Sequence, residues 1–410
     1  MEQNIIRRLI FFYIILLYFL TLLVPTFKSL PLTPHEQIYI YLATVVFPLL
    51  RPQVLNTKVF IPSFLLLLFH VFYLLIGNYD NLDPRVTETL FDFFIALFFV
   101  SNLWLYIKDE KDFKRLKLLA KLILSFIILT LVTTFIGLLI MPSAVRDLVG
   151  NDNQEEVHSL LRLNIASYDF QYLMVFFAPL TYYFYRLHKS KLWLILLVFI
   201  TIEVVYAQIV SVIFLFFLNM FLSFIVLSRK IDFKKYIQNL FFVTLLFFLT
   251  KYWIVQFLFY ISEMLPPNLE MVATKFKEVA LYLESGNKIN VDDNFNMYGY
   301  EIRRELSKNS FFESPITGGG ESGGHHFWLD LLAEHGIFGF FPWVLLFVLF
   351  FNSTKKIFPI SERVLILNSM LIFIMIGLNK NILIFSMPVA IFFVLPLFLL
   401  VFGEKNKKFR

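Results

Sequence analysis

The stretch LWLILLVFITIEVVYAQIVSVIFLFFLNMFLSFIVL, residues 192–227, carries a single formal charge, Glu203. As a helix rising 1.5 Å per residue it would extend about 54 Å, against a bilayer hydrocarbon core of about 30 Å. One crossing cannot use that length. Split at Ala207-Gln208, the stretch becomes two spans, 192–208 and 209–227, joined by a tight exterior hairpin. A helix apolar on every face belongs in lipid or in a large core, and it satisfies its own backbone groups without water. The stretch therefore sets the expected fold class as all-α, a polytopic transmembrane helix bundle.

The chain around it reads the same way. Of 410 residues, 59% are hydrophobic, 16% are charged and 53 are Phe. A soluble domain runs near 45–50% apolar and about 25% charged, and core burial saturates with size, so lipid must be part of the solvent. Ten further apolar runs, at 5–24, 36–50, 59–77, 88–107, 118–140, 166–187, 236–259, 337–352, 364–379 and 381–402, bring the expected spans to twelve. The first opens on Arg7 and Arg8 but is too long for a signal-peptide core. No small-residue cleavage site follows it, so it is expected to remain as a span. No internal repeat and no pair of discontinuous helices is evident.

Charge sets the expected orientation. With the N-terminus inside, the short interior segments hold roughly two thirds of the 36 Lys and Arg residues. They include Lys108 to Lys121, Arg229 to Lys235 and the tail Lys405 to Arg410. The bias holds loop by loop, which puts both termini in the cytosol of a multi-pass cytoplasmic-membrane protein. Cysteine is absent, which excludes disulfides, thiolate metal sites and a Cys nucleophile. The net charge of +6 is dominated by this topology signal and implies no nucleic-acid partner. Asp92, Glu203 and Lys251 are the candidates for a functional charge within the spans, all near the expected span ends.

Three units follow: a bundle of nine spans at 1–260, a large extracytoplasmic segment at 261–336, and three spans with a basic tail at 337–410. Within the exterior segment, Leu269, Val272, Ala273, Phe276, Val279, Ala280 and Leu283 recur at helical spacing opposite Glu270, Lys275, Lys277, Glu278 and Glu284. That is an amphipathic helix, lying on the outer membrane surface or packed on the top of the bundle.

The chemistry concentrates between Arg303 and Gly339. Gly318, Gly319, Gly320, Gly323 and Gly324 fall within seven positions, followed by His325-His326-Phe327-Trp328-Leu329-Asp330 and Glu334-His335-Gly336. Glycine N–H groups can form an anion-binding nest, or the segment is a flexible hinge; no Gly-Lys-Ser/Thr follows, so it is not a Walker loop. Helical spacing puts His326, Asp330 and Glu334 on one face, with His325 nearly opposite Glu334. Adjacent His residues rarely chelate one ion and no H-E-x-x-H occurs, so no metal is expected. A near-neutral imidazole suits proton abstraction from a hydroxyl, and a surface polar role is the alternative. Arg162, Arg303 and Arg304 stand out because exterior arginine runs against the topology bias. Their forks suit phosphate oxygens, or else exterior carboxylates.

The run from His325 through Leu329 to Glu334-His335-Gly336, leading into a span, resembles the end of the large exterior loop in the O-antigen polymerase and O-antigen ligase superfamily. On that match His325 takes the family His position. Arg303 and Arg304, Pro315 and Gly318 to Gly320 are similar to the family's Arg, Pro and Gly-rich stretch, and Arg162-Leu163-Asn164 to a second family Arg segment. The chain departs from the family at the central hairpin, where Ala207-Gln208 stands in place of a frequent Ser-Arg.

The resemblance implies a GT-C-like, metal-independent glycosyltransferase without cofactors. It would join undecaprenyl-pyrophosphate-linked oligosaccharide repeat units into O-antigen or capsular polysaccharide at the outer face of the cytoplasmic membrane. It also leaves room for a chain-length regulator as protein partner. On that reading Arg162, Arg303 and Arg304, with Gly318 and Gly320, hold the pyrophosphate; His325 is the base and Glu334 orients it. The neighbouring readings are an O-antigen ligase acting on lipid A core and, in another class, a lipid-linked oligosaccharide flippase.

Overall fold

The computed structural model describes residues 2–30, 110–150, 154–229, 238, 251–265, 270–285, 296–354, 357–379, 387 and 390–404. In chain order the first helices are α1 (Glu2–Leu23), α2 (Pro25–Lys28), α3 (Glu110–Ile140), α4 (Ala144–Gly150), α5 (Gln154–Arg162), α6 (Tyr168–His188), α7 (Lys191–Tyr206) and α8 (Val210–Arg229). They are followed by α9 (Lys251–Met264), α10 (Glu270–Ser285), α11 (Asn296–Glu313), α12 (Phe327–Thr354) and α13 (Ile360–Asn379). A π-helical turn, Ala390–Val394, then leads into α14 (Leu395–Phe402). No strand occurs among the described residues. The expected spans 36–50, 59–77 and 88–107, with Asp92, lie outside the described residues, as does most of 236–250.

The 192–227 stretch folds as two helices. α7 ends at Tyr206, Gln208 takes a left-handed φ of 55°, and α8 starts at Val210. The amphipathic pattern at 269–284 becomes α10, which turns Val272 and Ala280 inward and packs along α9. Helices α4, α5 and α11 lie in the polar segments expected outside the membrane, 141–165 and 261–336.

Helix α6 occupies the centre. Every side chain from Phe170 to Thr181 is buried, and so is every one from Ala390 to Leu399 in the π-turn and α14. Around this pair stand helices with one apolar face turned inward and another turned outward. The outward faces carry Ile128, Val132, Ile136 and Ile140 on α3; Leu192, Ile195, Val198 and Ile202 on α7; Phe214, Phe217, Phe221 and Phe224 on α8; and Ile337, Phe341, Val344 and Val348 on α12. These sixteen exposed side chains, spread over four helices, present on the order of 1,000 Å² of apolar surface in all. Two described helical stretches, Phe113–Ile140 and Ile360–Leu378, are long and apolar enough to cross a membrane.

Polar groups inside the bundle pair with one another or with backbone. Asn219 donates to the Val175 carbonyl (2.9 Å), Thr130 to the Leu23 carbonyl (2.6 Å), and Gln171 to the fully buried Glu203 carboxyl (2.5 Å). At the opposite end of α6, Tyr183 donates to Glu362 (2.9 Å), which also accepts the Glu404 N–H (2.9 Å) and so ties the end of α14 to α6 and α13. Interhelical bonds of this kind contribute about 0.6 kcal/mol each in lipid, so they fix register more than they add stability.

Candidate functional site

The segment between α11 and α12 is built on contacts between small residues. Ser307 and Ser310 form the buried face of α11, and the glycine-rich chain lies directly on them. A Cβ at Gly323 would stand 2.2 Å from the Arg303 carbonyl oxygen, and one at Gly320 would stand 2.5 Å from the Ser310 Cβ. Gly323 donates its N–H to Ser307 Oγ (2.8 Å). The Ser307 hydroxyl has one proton, and of its two acceptors Asp330 Oδ1 is nearer at 2.5 Å than the Arg303 carbonyl at 3.2 Å. The chain runs on from this contact into His325 two residues later, so the histidine pair is fastened to the turn of α11 that carries Arg303.

Asp330 organises the start of α12. Its second oxygen accepts the His326 N–H (2.8 Å), while the Asp330 N–H donates to the His326 carbonyl (2.8 Å). This reciprocal pair covers one of the donors that a helix start leaves without an intrahelical partner. Burial pushes the Asp330 carboxyl above the usual carboxylate range. The Ser307 hydroxyl, the His326 N–H, the His326 ring charge and the Gly324 N–H all pull the other way. Beyond Asp330, Trp328 Nε1 donates to the Ile374 carbonyl (2.8 Å) and His326 Nδ1 lies 2.9 Å from the Leu378 carbonyl. Both acceptors belong to the last two turns of α13, and the Leu378 carbonyl is one of the final four that have no partner within their own helix.

Glu334 and His335 sit just before a break in α12 at Gly336, where φ is 62° and ψ is −165°. Both side chains are buried, with His335 Nε2 3.9 Å from Glu334 Oε2. The backbone of this turn is shared with the glycines. Gly319 N–H donates to the Glu334 carbonyl (2.8 Å) and Gly320 N–H to the Ala333 carbonyl (3.2 Å), while Gly318 N–H donates to Ser314 (2.9 Å). A Cβ at Gly318, whose φ is +68°, would stand 2.4 Å from the Glu334 carbonyl. In this structure the N–H groups of Gly318 and Gly320 therefore serve protein carbonyls, and close packing accounts for glycine at both positions. A phosphate nest at these two N–H groups is not formed here.

The third part of the site is the turn after α5. Asn164 takes a left-handed φ of 59° and buries its amide between elements. Its Oδ1 accepts the Thr26 N–H (3.3 Å) and hydroxyl (3.2 Å), and its Nδ2 donates to Thr133 Oγ1 (2.9 Å). The Thr133 hydroxyl in turn reaches the Asn164 carbonyl (2.8 Å). This clamp fixes Arg162, two residues earlier, against α2 and α3.

The structure thus brings Arg303, His325, Gly318, Gly320 and Glu334 into one assembly of α11, the glycine segment and α12. Arg304 is half-buried on the same helix. Arg162 is held by a different set of contacts, with α5 packing on α2 and α4. Arg162 and Arg303 are exposed, and among the described residues no carboxylate pairs with either guanidinium. Ser307 is not marked in the sequence, and Asn164 stands there only as a neighbour of Arg162; their partners Asp330, Gly323, Thr26 and Thr133 appear only in the three-dimensional contacts. The chain matches no known family model, no characterised protein and no solved structure.

Proposed function

We propose that the chain is a polytopic protein of the cytoplasmic membrane, with about twelve spans, a GT-C-like bundle and both termini in the cytosol. On this reading it joins undecaprenyl-pyrophosphate-linked oligosaccharide repeat units into O-antigen or capsular polysaccharide at the outer face. The outward apolar stripes, the all-apolar helices and the charge bias of the loops support the membrane part. The observation that carries the activity is the exposed Arg303, without a carboxylate partner among the described residues, on the turn of α11 to which the His325–His326 pair is fastened. A cation beside a base is what transfer from a diphosphate requires when no metal takes part. The leaving group is anionic, and the incoming hydroxyl must lose a proton.

In the proposed reaction Arg303 and Arg162 neutralise the departing diphosphate, and Arg304 supports them from the same helix. A histidine of the 325–326 pair takes the proton from the acceptor sugar, and the family resemblance assigns that role to His325. Removing one such charge-stabilising donor costs about 10²–10³ in rate. Deleting the gene tests the reading: the surface glycan should collapse to a single repeat unit on its carrier. Complementation with Arg303→Ala or Arg162→Ala should leave it short, and Arg303→Lys should restore it only in part, because an ammonium lacks the planar fork. A full-length glycan in the deletion strain or with both alanine variants refutes the proposal. Complete loss of glycan from the core points to a ligase.

A further inference from the structure

We propose that Glu203 and Gln171 form a proton-binding site at the hairpin end of the bundle. Glu203 holds the proton as a neutral carboxylic acid, the acid latches α7 to α6, and release of the proton opens the latch. The inference goes beyond the glycosyl-transfer reading and does not rest on it.

Glu203 lies on the last turn of α7, just before the hairpin at Ala207-Gln208, and Gln171 on the first turn of α6. Both side chains are fully buried. They are joined by a hydrogen bond from Gln171 Nε2 to Glu203 Oε1 (2.5 Å). That leaves two buried oxygens, Glu203 Oε2 and Gln171 Oε1, with no partner among the described residues. Both are acceptors when the carboxyl is ionised, so neither can serve the other. One proton on Oε2 resolves both. It turns that oxygen into a donor, for which Gln171 Oε1 is the open acceptor, while Oε1 goes on accepting the amide. It also removes a charge that would otherwise be buried on a single hydrogen bond, a far costlier state than a neutral paired acid.

No cation on the packed elements stands in for the proton. α7 packs on α6, α3 and α8. The Phe135 ring on α3 lies against Phe199 (5.1 Å) and Tyr206 (5.8 Å), which sets the Ile140 end of α3 beside Glu203. From Leu122 to Ile140 that helix has no ionisable residue. α8 has none before Arg229 at its far end, and the hairpin residues 207–209 have none. On α7 the others are Tyr206 and, at the opposite end, Lys191. The first turns of α6 bring Tyr168, Asp169 and Tyr172, which are two phenols and a second acid. Tyr172 is engaged by α8, with its hydroxyl 3.1 Å from Ser211 Oγ.

On release the proton passes to water, and no other covalent bond is made or broken. The carboxylate that remains must draw in water or part from Gln171. α6 begins just after the Asn164 turn that fixes Arg162, so this end of α6 loosens beside that turn.

Infrared spectroscopy of the purified chain in bilayers reads the proton directly. At neutral pH the wild type should show the C=O stretch of a protonated carboxyl that Glu203→Gln lacks, and alkaline pH should convert that band into carboxylate bands. Gln171→Leu should shift it to higher frequency, because the acid loses its hydrogen-bond partner. Loss of carboxylate bands alone in Glu203→Gln, or a protonated band that neither variant alters, overturns the proposal. So does a wild-type spectrum without a protonated carboxyl at neutral pH, whether or not the variants fold. Thermal unfolding gives the linked readout. A proton bound in the folded chain and released in the unfolded one makes stability fall as pH rises. Wild type should therefore lose melting temperature relative to Glu203→Gln as pH is raised past neutral, and coincident pH profiles overturn the latch.

Discussion

Gly323→Ala isolates the contact that joins the two halves of the site. The added methyl would stand 2.2 Å from the Arg303 carbonyl oxygen, 2.6 Å from its carbon and 2.7 Å from the Arg303 Cβ. Ordinary contact between carbon and carbonyl oxygen begins near 3.3 Å, so the chain must retreat by about 1 Å from a helix backbone that has no flexible end to yield. The retreat stretches the Gly323 N–H bond to Ser307 from 2.8 Å toward the limit of a hydrogen bond, and with it the Ser307–Asp330 link. Overpacking costs about 1–3 kcal/mol and the weakened bond about 1 kcal/mol, so thermal unfolding in detergent should shift by several degrees. The larger effect falls on the reaction. A 1 Å separation of the histidine pair from Arg303 should cost about 10²-fold in polymer formation. Gly319→Ala is the comparison. Its methyl meets nothing within 4 Å, but its φ of +101° strains any L residue. It should lower stability by about 1–3 kcal/mol with a much smaller loss of rate. Equal polymer formation by wild type and Gly323→Ala, at equal protein level, would refute the reasoning that this contact sets the spacing of base and cation.

Asp330 supplies a pH prediction. Its carboxyl titrates higher in the folded chain than in the unfolded one, so the folded state binds more protons between the two values and stability falls as pH rises through that window. Melting of the wild type should decline with pH from the ordinary carboxylate range upward. Asp330→Asn should flatten that decline, and parallel melting curves for the two proteins would count against it. Asn164→Ala removes buried hydrogen bonds to Thr26 and Thr133 and leaves at a φ of 59° a residue without the amide that lets asparagine adopt the left-handed region. It should destabilise by about 2–4 kcal/mol in denaturation of purified protein, with Asn164→Gly about 1 kcal/mol milder because glycine accepts the left-handed backbone.

What was legible in the sequence followed from length and periodicity. The hairpin at Ala207-Gln208 could be read because 36 apolar residues overrun one bilayer, and helix α10 because its apolar residues recur at helical spacing. Helix α11 could not be read that way. Its buried face is Ser307 and Ser310, while Ile302 and Leu306 are exposed, so the usual apolar stripe is inverted. Arg303 and His325 were selected by residue type, but the sequence holds no signal that Gly323 closes on Arg303. The link depends on the absence of a side chain at one position and a carbonyl twenty residues earlier. The glycines offer a candidate anion cradle because a sequence does not show where their N–H groups point; in the fold, those of Gly318, Gly319 and Gly320 go to protein carbonyls and that of Gly323 to the Ser307 hydroxyl. Nor does the sequence reveal which histidine nitrogen carries the proton, since the deciding carbonyl belongs to Leu378, 52 residues away.

The segment from Ala390 to Leu399 is buried among α3, α6 and α13, yet the ribosome delivers it after every other described helix. Until it arrives, α6 has an open flank, and the helices already made lack their central partner. The described helices therefore wait on a central element, not on an outer layer. A chain interrupted before residue 390 would keep its site residues and its apolar helices and still lack the column around which they are arranged.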